Sequence, residues 1–138
     1  MALRGSLARS VAAVNSGTVF NIANVTGKGI LREICFYLRG PSYSSANSGQ
    51  RFEIIIDNVT VFSQDVYDTA DFARLLIGKD GTGTSVCAEI TLYDPASRDI
   101  GGSWRLNLPF QSSMTVRINN TSNSSIFARV LVNYVLEV

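Results

Sequence analysis

Apolar and polar residues alternate with a period of two through most of this chain, and that alternation limits its fold more than any other feature. Ile30, Ile34, Phe36 and Leu38 fall on one side of one such run, with Glu33 and Arg39 on the other. Phe52, Ile54 and Ile56 alternate with Glu53 and Asp57. Val86, Ala88, Ile90 and Leu92 alternate with Cys87, Glu89 and Thr91. Trp104, Leu106, Leu108 and Phe110 oppose Arg105 and Asn107; Met114, Val116 and Ile118 oppose Thr115 and Arg117. Successive side chains on a strand point to opposite faces, so each run reads as a strand with one face on a core. A weaker strand is expected from Thr18 to Ala23. The last run, Ile126 to Val138, is the longest and most apolar.

Turn chemistry separates these runs. Asp57-Asn58, Asp94-Pro95 and the Asn/Ser/Thr cluster from Asn119 to Ser125 are punctuation of the kind hairpins need. A long polar loop follows Gly40-Pro41 and runs to Gly49. One segment breaks the strand pattern. Phe72, Leu75 and Leu76 recur at helical spacing, with Asp68 or Thr69 as N-cap and Gly78 as the stop. This predicts one short helix over 68–77.

Roughly eight strands with turn clusters between them imply an all-β domain, a two-sheet sandwich or a barrel. A jelly-roll-like sandwich fits the strand count and the long connections; the strand order stays open. The immunoglobulin pattern is missing, because Trp104 follows both cysteines instead of lying between them. Ile34, Phe36, Ile54, Ile56, Ile90, Leu92, Trp104, Leu106, Val116 and Ile118 are expected in one core. The chain has 138 residues, enough for one domain with a real core. Residues 17–138 are read as that domain. Residues 1–16, rich in Ala, Ser and Arg, are read as an extended N-terminal arm.

Several chemistries are excluded by what the chain lacks. It has no histidine, which removes Ser-His-Asp and Cys-His nucleophile systems and histidine-ligated zinc. Cys35 and Cys87 are too few for a disulfide framework and are expected as two buried free thiols. Gly78 to Thr84 lacks the Lys-Ser/Thr end of a phosphate-binding loop. Asp65, Asp68 and Asp71 do not have the spacing of a calcium loop, and helix N-terminal acids account for the last two. Asp57 and Asp94 sit where aspartates make turns, which leaves little room for a glycosidase pair. No enzymatic activity, metal or cofactor is expected.

Partners are narrowed in the same way. The net charge is +1, without the Lys/Arg footprint that nucleic acid requires. No apolar run reaches the roughly 18–20 residues that span a bilayer, and residues 1–14 lack the apolar stretch of a secretory leader. Two surfaces stand out. On the last strand Ile126, Ala128, Val130, Val132, Tyr134, Leu136 and Val138 share the core-facing side. The other side carries Phe127, Leu131 and Val135 among Arg129, Asn133 and Glu137. Three large apolar side chains left in water forgo roughly 1.5–3 kcal/mol each, so Phe127, Leu131 and Val135 are expected at a subunit interface, unless a segment such as Phe72 to Ile77 covers them. Tyr43, in the polar loop after Gly40, is the best-placed aromatic for a ligand such as a sugar.

Three pieces resemble small phage virion proteins of jelly-roll type. They are Val25-Thr-Gly-Lys-Gly-Ile-Leu-Arg-Glu-Ile, Phe52-Glu-Ile-Ile-Ile-Asp-Asn-Val-Thr-Val-Phe, and Leu106-Asn-Leu-Pro-Phe-Gln-Ser-Ser-Met-Thr-Val-Arg-Ile-Asn-Asn with Asn133-Tyr134 after it. The second is similar to an I-x-I-D-G strand–turn–strand pattern, with Asn58 where glycine is usual; Asn accepts the same left-handed turn. The resemblance spans about Val25 to Val138. It implies a non-enzymatic virion component, often a homotrimer, and carries no catalytic residues. Within that group a capsid decoration (cement) protein is expected. One domain plus a short arm suits a compact body that grips the major capsid protein or another virion protein, here through Arg4, Leu7, Arg9 and Val11. The alternative is a tail- or head-fibre tip, or a receptor-binding knob contacting a host glycan.

Overall fold

The computed structural model describes residues 2–40, 49–66 and 68–138. Within them ten strands and one helix follow in the order β1 (Leu3–Val14), β2 (Thr18–Thr26), β3 (Gly29–Arg39), β4 (Gln50–Ile56), β5 (Val59–Asp65), α1 (Thr69–Ile77), β6 (Gly83–Thr84), β7 (Ala88–Asp94), β8 (Asp99–Phe110), β9 (Ser113–Asn120) and β10 (Ile126–Glu137). The pairing is antiparallel and nested. β1 pairs with β10, β2 with β9, β3 with β8, and β4 with β5. That long ribbon curls, so that β10 also meets β3 and β9 also meets β4. The result is two sheets, ordered β1-β10-β3-β8-β7-β6 and β2-β9-β4-β5. Set aside β6 and β7, which extend one edge, and eight strands remain in jelly-roll order.

The core lies between the sheets. Ile34, Phe36, Ile54, Ile90, Val116 and Ile118 are buried there, as the alternation requires. Ile56, Trp104 and Leu106 pack against it half-buried. Leu92 breaks the pattern and is 40% exposed. The β7–β8 register slips between Ile90 and Leu92, so Leu92 pairs with Gly101 directly after Ile90 pairs with Gly102. Such an irregularity turns every later side chain to the other face. The last strand keeps its phase: Ile126, Ala128, Val130 and Val132 are buried and Tyr134 and Leu136 pack against the core, while Val138, beyond the strand's end, is exposed.

The helix starts and stops where its caps dictate. The Asp68 carboxylate accepts from the backbone N–H of Ala70 and Asp71; Gly78, at φ 79°, donates to the Arg74 carbonyl. Its buried residues are Thr69, Phe72, Ala73 and Leu76; Leu75, the third apolar residue of the helical spacing, is exposed. Phe72 reaches into the sandwich, with its ring 5.7 Å from Phe36, 6.3 Å from Phe52 and 6.4 Å from Phe62. Phe62 in turn meets Trp104 at 4.6 Å. All are edge-to-face, the arrangement that aromatic quadrupoles favour. The helix therefore plugs the interior between the sheets and does not cover the outward side of β10.

The N-terminal segment differs most from expectation. It is extended, but it is not a detached arm. Residues 3–14 pair continuously with β10, from Leu3 opposite Glu137 to Val14 opposite Ile126, and Val14 is buried. Small side chains and weak periodicity hid this strand. Ala8 packs against the core, and Ala12 holds the register position opposite Ala128.

Two outcomes check this fold. Ile34→Ala, at a fully buried site, should cost about 2–5 kcal/mol in a denaturant titration, whereas Leu92→Ala should cost no more than about 1 kcal/mol. Deleting residues 2–14 should abolish cooperative unfolding, because β10 loses its partner along one whole side. A truncated protein with an unchanged denaturant midpoint would show instead that β1 is dispensable.

Candidate docking face of the six-stranded sheet

The outward face of the six-stranded sheet gathers most of the residues singled out from sequence. Along β10 it carries Phe127, Arg129, Leu131, Asn133 and Val135; along β3 it carries Glu33, Cys35, Tyr37 and Arg39. Register makes them neighbours. Leu131 lies opposite Cys35 on one side and Arg9 on the other; Phe127 lies opposite Arg39 and Ala13; Val135 lies opposite Ile30 and Gly5. Phe127, Leu131 and Val135 are all half-buried. Leu7, Arg9 and Val11 hold the register positions opposite Asn133, Leu131 and Arg129, whereas Arg4 is out of phase, opposite Leu136. Leu7 is 65% exposed. Two groups that sequence reasoning kept apart, the arm contacts and the interface stripe, thus adjoin on one sheet.

The face is hollowed. A shallow open trough of about 440 Å³ runs over Cys35, Tyr37, Leu92, Gly101 and Leu131. It continues into a second hollow formed by Tyr37, Arg39, Phe127 and Arg129. A third concavity takes in Val135 with Arg32, Glu33, Arg105, Asn107 and Asn133. Each of the three predicted interface residues lines one hollow. Tyr37 and Phe127 meet edge to face at 6.3 Å, and the Arg129 guanidinium lies 5.6 Å from the Phe127 ring centre. Arg39 makes a bidentate pair with Asp99, at 2.6 and 2.9 Å. That pair holds the Asp99 carboxyl below its usual range, Arg39 hydrogen bonding outweighing the opposing effect of partial burial. Burial pushes the Cys35 thiol up, helped by its hydrogen bond to Glu33 and that residue's charge.

The other sheet presents a different surface. Polar contacts cross the middle of its outward side, while Val19 on β2 and Val59 and Val61 on β5 are exposed at its edges. Arg117 bonds Glu53 at 3.0 Å, Ser63 donates to Glu53 at 2.9 Å, and Arg51 bonds Ser63 and Asp65. Burial alone would raise the Glu53 carboxyl, but hydrogen bonds from Ser63 and Arg117 and the Arg117 charge hold it below its usual value.

The remaining candidates fall into structural roles or outside the described residues. Tyr43 lies outside them. Asp68 caps the helix, Asp71 pairs with Arg74, and Asp65 accepts from the Gly49 N–H. No cluster of three or more possible metal ligands occurs among the described residues. Both thiols are free, but neither is buried as expected: Cys35 is half-buried and Cys87 exposed. Cys35 sits on the outward side of β3 and Cys87 in the bend just before β7. Cys35, Tyr37, Leu92 and Gly101 were not singled out as site residues. The one signal for them was Gly101-Gly102 inside an apolar strand, where glycine marks a close approach or a gap.

Asp57 and Asp94 do not approach as a catalytic pair; each ties a turn. Asp94 accepts from the N–H groups of Ala96 and Ser97. Asp57 and Asn58 have φ of 50° and 66°, the left-handed hairpin turn that they were expected to make. The Asp57 carboxylate accepts from the backbone N–H of Gln111, Ser112 and Ser113, joining the β4–β5 turn to the β8–β9 turn. Those three bonds lower its pKa to about 2. A depressed carboxylate adds stability above its unfolded pKa of about 3.9 and loses it as pH falls toward about 2. Wild type should therefore be more stable than Asp57→Asn at pH 7, with the gap closing between those two values in denaturant titrations. A gap independent of pH would remove the charge from the account.

No protein-family model and no curated protein sequence matches the chain. Among solved structures it is similar to two of infectious bursal disease virus, the VP2 subviral particle and the Gx strain. Identity is 13% and 10%, with TM-scores of 0.38 and 0.40; 98% of this chain is covered in both. The chain spans about a third of the length of each (33% and 32%). Likenesses of this size assign nothing to the chain, and its jelly-roll order stands on its own strand pairing.

Proposed function

We propose that this protein is a non-enzymatic structural component of a virus particle, a phage capsid decoration protein that works as a homo-oligomer, with three copies as the family resemblance suggests. The observation that carries this reading is the asymmetry of the sandwich. One sheet has ion pairs across the middle of its outward side, and its exposed Val19, Val59 and Val61 lie apart on its two edge strands. The other presents an aromatic and aliphatic face with hollows, the composition of a surface that a partner covers. The free edge of β1, with exposed Leu3, Arg4 and Leu7, is the side offered to the major capsid protein; an unpaired strand edge is a ready template for another chain. The lack of histidine, and the structural partners of Asp57, Asp65, Asp68, Asp71 and Asp94, support a role without catalysis.

Antibody labelling of intact phage particles tests the proposal. Many copies spread over the shell are expected. A few copies at one vertex or at the tail tip would replace decoration with the receptor-binding reading, and a glycan array would then be the next measurement. Absence from purified particles would end the virion reading altogether.

A further inference from the structure

The mid-strand pair Gly101-Gly102 holds two glycines that are there for different reasons. A Cβ on Gly102 would run into the Glu89 carbonyl oxygen, so packing demands glycine. Gly101 is under no such demand. Its φ is not in the left-handed region, and an added Cβ would sit 3.4 Å from the Leu92 Cβ and 3.7 Å from Tyr37, ordinary contact distances. Glycine inside a strand weakens it, because it packs nothing and costs more entropy to order. What the missing side chain leaves here is the floor of the trough. Leu92, Tyr37, Cys35 and Leu131 stand around it.

We propose that this trough is a socket for an apolar side chain from the same face of a second copy of the chain. The inference rests on the homo-oligomer in the proposed function, with a two-fold contact between like faces in place of three copies, and locates its centre at Gly101, inboard of the β10 stripe. Three observations favour a second copy as the occupant. The first is area. Four strands of 11 or 12 residues, spaced about 4.8 Å apart and rising about 3.3 Å per residue, make a face of roughly 700 Å², close to the ~800 Å² that each partner gives a stable interface. The second is anatomy. The trough, mostly apolar with Arg129, Ser10 and Thr91 on its walls, is bordered by Arg39–Asp99 and by Glu33, Arg105 and Arg32, a rim of both signs that a rotated copy can match. The third is shape. Facing sheets pack about 10 Å apart only if their side chains interdigitate. This face carries both projections, Leu131 and Phe127, and a hole, as a self-complementary interface requires.

Sedimentation and thiol chemistry test the socket together. In a Cys87→Ser background Cys35 is the only thiol. At one fixed pH its alkylation by iodoacetamide should slow about tenfold between dilute protein and tens of micromolar, as the trough fills. Gly101→Val, which fills the socket from within, should raise the dissociation constant at least about tenfold while the circular dichroism of the monomer is kept. Leu131→Asp should dissociate the oligomer as well. If the protein associates but Cys35 stays equally reactive, or Gly101→Val associates as wild type does, the socket is overturned and self-association runs through another surface. A wild-type monomer at every concentration overturns the homo-oligomer and the socket with it.

Discussion

Everything in this molecule is organised around β10, which is hydrogen-bonded along both sides. β1 holds one edge for the strand's whole length and β3 holds the other. A strand in that position has no freedom of register, because a one-residue slip would move Ala128, Val130 and Val132 out of the core and Phe127 and Leu131 into it. The hydrophobic cost of that slip fixes the register, and the register fixes what lies on the outward face. Core and docking face are therefore two sides of one constraint. The side chains that bury themselves between the sheets force their neighbours in sequence to point away from it.

The connection between β5 and β8 serves the same body. A jelly roll is open along its edges, and here α1 closes one of them by sending Phe72 between the sheets. The ring touches Phe36 of one sheet and Phe52 and Phe62 of the other, so a single side chain couples both layers. β7 then extends the six-stranded sheet, and its register slip turns Leu92 outward beside Gly101. The widened sheet and the trough on it have a common origin in this insertion.

The two outward faces show how differently a sandwich can treat its surfaces. On the four-stranded sheet, Arg51, Glu53, Ser63 and Arg117 satisfy one another. Such contacts add little stability where water competes, but they occupy the middle of the sheet and leave its exposed valines, Val19, Val59 and Val61, separated on the edge strands β2 and β5. On the six-stranded sheet the polar pairs sit toward the edge of the hollows, and the middle is Cys35, Leu92 and Leu131. Water gains nothing from contact with these groups, whereas another apolar surface does. This difference gives the molecule a direction for assembly.

Local rules made much of this structure legible in the sequence. Period two named the strands and most of the core. Asp57-Asn58 marked its hairpin, and Asp68 and Gly78 marked both ends of the helix, because turns and caps depend on residues only a few positions apart. The stripe of Phe127, Leu131 and Val135 was legible for the same reason: side-chain direction along one strand is a local property. Pairing partners were not. Residues 3–14 read as an arm because their small side chains carry no strong alternation, and only β10, more than a hundred residues away, gives them a place. Leu92 read as core because a bulge between paired strands leaves no trace in either strand alone. The trough over Gly101 needed Leu131 from β10, Cys35 from β3 and Leu92 from β7 on one surface. Sequence by itself determined which residues alternate and where the chain turns. Tertiary structure alone decided which strands meet, because long-range pairing follows the burial of whole faces, not the preferences of single residues.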